Sequence, residues 1–241
     1  GYGLNVSQAE HVADVLVEVG QKYAVSASEL MEAYSHAGAA LSASNTSFEK
    51  SAGLIAAANA AVQDASTVGT ALKTVSARIR GATTDLDNLG ESTEDLAQGF
   101  SKYANEIKGL TGFNILVDGT TDQYKDLYDI FEGIAAQWDR LSDTQQARVA
   151  EILGGTRQLQ VISSIMQNMS DATGAYADAM NSAGTATQAN EEYMSSIQGK
   201  LGALKATFQD LSTSILSSNW ITDIVDAVSY THLTLPTKLE V

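Results

Sequence analysis

The sequence predicts an all-α fold: an antiparallel helical bundle followed by a long heptad-patterned helix, with at most one short strand or hairpin near 113–119. Three observations predict it. The single proline of the 241 residues is Pro236, and proline is the residue that breaks helices, by removing an N–H and clashing with the preceding turn. Helix-start signals recur, in which Ser or Thr precedes Glu, Asp or Gln by three residues and each side chain satisfies an orphan N–H. They stand at Ser7/Glu10, Ser26/Glu29, Thr46/Glu49, Ser92/Asp95 and Ser142/Gln145. Apolar residues then return at three- and four-residue steps along most of the chain.

Taken in order, Val12, Val15, Leu16 and Val19 define a first helix that stops at Gly20. A second runs over about 27–38 through Leu30, Tyr34 and Ala37 and stops near Gly38. A third, about 47–62, presents the small face Ala52, Ile55, Ala56 and Ala60. A fourth, about 66–80, runs through Val68, Leu72, Val75 and Ile79 to Gly81. Similar lengths and short connections make these a compact antiparallel bundle. Residues 82–92 read as a polar loop, followed by a helix through Leu96, Phe100, Tyr103 and Ile107.

Strand character is confined to Phe113-Asn114-Ile115-Leu116-Val117, closed by the turn pair Asp118-Gly119. Leu127, Ile130, Phe131, Ile134 and Trp138 define the next helix. Another starts at Ser142, carries Val149, Ile152 and Leu153, and is cut by Gly154-Gly155. Leu159, Ile162, Ile165, Met166 and Met169 continue at helical spacing, and the Ala/Gly/Ser/Thr-rich stretch 171–187 reads as a weak helix or a linker. The longest regular element, about 187–217, carries Met194, Ile197, Leu201, Leu204, Phe208, Leu211 and Ile215. These steps of three and four form a heptad seam that requires a partner helix, from this chain or from another copy. The expected organisation is an N-terminal bundle over 1–110, a second helical segment over 111–186, and a coiled-coil-like helix over 187–228. After Val228 the helical period disappears. The run Ser229-Tyr230-Thr231-His232-Leu233-Thr234-Leu235-Pro236-Thr237 reads as translated sequencing adaptor, so 229–241 is expected to be a non-native tail. The start Gly1-Tyr2-Gly3, without Met, reads as an internal piece of a longer polypeptide.

Composition narrows the function. The chain is 44% hydrophobic, enough to bury a core, and only 7% aromatic. Its formal net charge is −15 with only 14 Lys and Arg, so it lacks the basic face that duplex nucleic acid requires, and no stable nucleic-acid binding is expected. Without cysteine it has neither disulfides nor thiolate metal sites. No apolar run approaches the roughly 18–20 residues that span a bilayer.

Chemistry is sparse. No HExxH, G-x-S-x-G or phosphate-loop pattern occurs. Adjacent Glu10 and His11 point to different helix faces and form no dyad. Gly154-Gly155-Thr156-Arg157 could imitate an anion-binding turn, but reads better as a helix stop and restart. Glu191-Glu192 complements a helix dipole, and Asp118 and Asp122 read as turn residues lacking the remaining calcium-loop ligands. No catalytic, cofactor-binding or metal residue is assigned, and no enzymatic activity or cofactor is expected.

Four stretches carry a resemblance. They are Ala9-Glu10-His11-Val12-Ala13-Asp14-Val15-Leu16 leading to Ser28-Glu29-Leu30-Met31-Glu32-Ala33 and Ala37-Gly38; Ser51-Ala52-Gly53-Leu54-Ile55-Ala56-Ala57-Ala58-Asn59 with Gly69-Thr70-Ala71-Leu72-Lys73-Thr74 and Arg78-Ile79; Tyr124-Lys125-Asp126-Leu127-Tyr128-Asp129-Ile130 with Ile134-Ala135 and Trp138; and Ile152-Leu153-Gly154-Gly155-Thr156-Arg157-Gln158. In this order they resemble the core region of phage tail tape-measure proteins. The resemblance implies a structural protein of the virion tail interior, present in the host cytoplasm during assembly, that governs tail assembly and length. It also implies tail-tube subunits, tail assembly chaperones and tail-tip or baseplate proteins as partners, and the seam implies self-association through helices. The competing classes are a secreted helical pore-forming or toxin-like protein, whose signature would be an apolar hairpin able to enter a bilayer, and a wall hydrolase, which would need a catalytic set.

Overall fold

The computed structural model describes residue 2 and residues 8–93, 100–118, 120 and 123–215. It is all-helical, with no strand among the described residues. The helices are α1 (Ala9–Lys22), α2 (Ala27–Ala43), α3 (Phe48–Val62), α4 (Ala65–Arg80), α5 (Thr83–Asn88), α6 (Phe100–Thr111), α7 (Leu127–Ala135), α8 (Asp143–Gly154), α9 (Leu159–Gln167), α10 (Met169–Met180) and α11 (Thr185–Ile215), with a 3-10 turn at Trp138–Arg140.

Local side-chain caps set the starts of α2, α3, α4, α7 and α8. Ser26 and Glu29 close a full capping box on α2, and Ser142 and Gln145 close one on α8. Asp64 accepts from the Thr67 N–H at the head of α4, and Asp126 from the Asp129 N–H at the head of α7. The Thr46/Glu49 expectation is corrected by one residue: Ser47 caps α3, accepting from Lys50 N–H. The Thr46 hydroxyl is used elsewhere, accepting from the Leu127 N–H at 3.0 Å. The Ser7/Glu10 and Ser92/Asp95 pairs, and Leu96, involve positions outside the described residues.

Two glycine stops are also corrected. α1 runs through Gly20 to Lys22, and α2 runs through Gly38 to Ala43. Gly20 is a close approach instead: a Cβ there would stand 2.8 Å from the backbone nitrogen of Ala27. Gly81 does end α4, in the left-handed region at φ 66°. The polar stretch 82–92 contains the short helix α5, and the open reading of 171–187 resolves into α10, with Ala172, Ala175 and Ala179 buried, and the start of α11.

The strand-like segment forms a hairpin arm. One antiparallel bridge joins Leu116 and Tyr124, flanked by Val117 N–H to Gln123 carbonyl at 2.8 Å and Lys125 N–H to Ile115 carbonyl at 2.9 Å. Gly119 and Asp122 lie outside the described residues.

Helix α3 is the centre of the core. Every residue from Ser51 to Asn59 is buried, as a helix apolar on all sides must be. α4 and α2 pack on it from its own half of the sequence, and α9 and α10 from the other half. Ser164 of α9 donates to the Ala57 and Ala58 carbonyls, both at 2.9 Å. Segments 1–110 and 111–186 therefore share one core, and the chain divides into two compact units, 1–188 and 189–241.

Alternate helices run the same way. His11 of α1 meets Glu49 at the head of α3, and beyond α1 the Ala24 carbonyl accepts from Asn59 near the end of α3. Gly69 of α4 lies against Ala33 and His36 of α2, and Ser76 further along donates to the Ala40 carbonyl at 2.7 Å. An up-and-down bundle gives this alternation. Its most extensive helix pairing is α2 with α4, made possible by Gly69: a Cβ there would stand 2.6 Å from the Ala33 carbonyl oxygen.

Candidate functional site

The long helix α11 begins in a built anchor. Gly184 precedes it at φ 86°, a backbone conformation glycine adopts without penalty. Asp14, only 3% exposed, reaches across from α1. Its Oδ2 accepts from the Gly184 N–H and its Oδ1 from the Ala186 N–H, both at 2.9 Å. The carboxylate thus does what a helix's own N-cap residue does, and it places negative charge at the positive end of the helix dipole. Glu18, one turn further along α1, accepts from the Thr185 hydroxyl at 2.8 Å.

The same face of α1 also grips α10. Lys22 contacts Glu18 at 2.5 Å and Asp178 at 2.9 Å, and the Tyr23 hydroxyl donates to Asp178 at 2.8 Å. The Lys22 hydrogen bond holds the Asp178 carboxyl below its usual range, against burial. Burial, and then the Asp178 carboxylate, push the Tyr23 phenol up to about 12. Asp14, Glu18 and Lys22 are spaced by four and so form one row along α1. Sequence reading passed over this row because its partners lie far along the chain. The available signal was an acidic residue, Asp14, set among the apolar positions Val12, Val15, Leu16 and Val19.

Beyond the anchor, the predicted seam is placed on α11 throughout, as Met194, Ile197, Leu201, Leu204, Phe208, Leu211 and Ile215 all fall within Thr185–Ile215. Met194 is 46% and Leu201 59% exposed, and Ile197 is half-buried. The side chains of Leu204, Phe208, Leu211 and Ile215 lie outside the described residues.

The polar residues singled out in the sequence are placed as follows. His11 pairs with Glu49 of α3, Nε2 to Oε1 at 2.6 Å, and not with adjacent Glu10. Gly154 ends α8, Gly155 stands at φ 71°, and α9 restarts at Leu159, so the Gly-Gly-Thr-Arg run stops and restarts a helix. Glu191 and Glu192 are exposed on α11. A second charged knot was missed: Lys50 of α3 bridges Asp126 and Asp129 at the head of α7, both at 2.6 Å. Burial draws the Lys50 ammonium down, but the two carboxylates overcome it and hold it above its usual range. Among the described residues no group of His, Asp and Glu could hold a metal ion, and no helix is long and apolar enough to cross a membrane.

A family model described as phage-related minor tail protein matches residues 1–155, from α1 through α8. No solved structure matches the chain.

Proposed function

The chain belongs to the phage-related minor tail protein family, and from that premise we propose that it is part of a tail tape measure, a structural protein whose contour length sets the length of the phage tail. Family membership supports a structural protein of the tail that associates with other tail proteins. The observation that carries the finer reading is α11, an uninterrupted helix of 31 residues whose first turn is held by Asp14 and Glu18 of α1. A helix rises about 1.5 Å per residue, so such an element converts chain length into physical length without chemistry. Residues folded into the unit 1–188 do not add length at that rate.

In this reading the protein works by shape and contact, without catalysis or cofactor. It lies inside the tail of the virion, is handled in the host cytoplasm by tail assembly chaperones, and meets tail-tube and tip or baseplate subunits. The seam on α11 joins it to other copies. The test is an in-frame deletion of about four heptads from α11 in the phage. Tails measured by electron microscopy should shorten by about 40 Å at ~1.5 Å per residue. Infectious particles with tails of unaltered length would refute the tape-measure role. The alternative, a secreted helical pore former, predicts leakage of vesicles by the purified chain.

A further inference from the structure

We draw no further inference here: the strongest candidate, the open, mostly apolar groove of about 360 Å³ where α7, α9 and α10 meet, lined by Ala135, Ala136, Met166, Met169 and Thr173 among others, carries nothing because nothing in the structure shows what covers it.

Discussion

Asp14 caps a helix that begins with Thr185: its two carboxylate oxygens take the N–H groups of Gly184 and Ala186, each at 2.9 Å. The contact joins residues some 170 positions apart, so the first turn of α11 depends on α1 being docked. Asp14→Ala leaves two N–H groups without their acceptor, and loss of a cap or of a buried acceptor costs about 1–3 kcal/mol. Chemical denaturation should show that loss. Hydrogen exchange should accelerate first at 184–188, and Asp14→Asn, which keeps one acceptor oxygen, should fall between. Unchanged exchange at 184–188 in Asp14→Ala would show that the helix starts without its clamp.

Gly69 allows α2 and α4 to lie together. Alanine there would bring Cβ to 2.6 Å from the Ala33 carbonyl oxygen and 2.8 Å from His36 Cβ. Neither is a flexible side-chain tip, so the helices must part, at a cost of about 1–3 kcal/mol for such overpacking. Gly199→Ala is the matched control, since nothing lies within 4 Å of its Cβ position. On an open helix face alanine gains about 0.5–1 kcal/mol over glycine. Thermal denaturation should move the two variants in opposite directions.

Burial of Tyr23, and then its bond to Asp178, gives the fold an alkaline limit. The Tyr23 phenol is raised from 10.0 to about 12 in the folded state. A raised group contributes its stability in full below its unfolded value and loses it as pH climbs through the folded one. Stability should therefore decline between about pH 10 and 12, and Tyr23→Phe should flatten that decline. Asp178 has the opposite sign. Its lowered carboxyl contributes above the ordinary value of 3.8 and is lost as pH falls below it, a loss that Asp178→Asn should remove. Urea midpoints across both pH ranges read the two effects separately.

These relationships divide what was legible in the sequence from what was not. Ser26/Glu29 and Ser142/Gln145 were readable because a capping box is complete within four residues. Thr46 was misread by one position because its hydroxyl serves Leu127, a partner that local spacing cannot reveal. Gly20 was taken as a stop because a glycine permitting close approach and a glycine ending a helix look alike in sequence. α10 was left open because Ala, Ser and Thr carry little periodic contrast, although Ala172, Ala175 and Ala179 are fully buried. The seam was legible as a pattern, but the anchor of its helix was not, since Asp14 and Ala186 meet only through the tertiary fold.

The exposed part of that seam gives a direct test of association. Met194 and Leu201 stand 46% and 59% exposed, two turns apart on one face of α11. Apolar side chains at heptad positions lower their free energy by interdigitating with a second helix, and a charge placed there must be desolvated to do so. Leu201→Asp should therefore abolish association of copies through α11. Leu201 is exposed and is not itself a buried core residue, so the unfolding free energy should stay within about 0.5 kcal/mol of the parent, as surface substitutions do. Sedimentation over a range of protein concentrations reads the first effect and urea unfolding the second. Equal self-association of parent and Leu201→Asp, at any concentration where the parent is more than monomeric, would remove the seam from the interface.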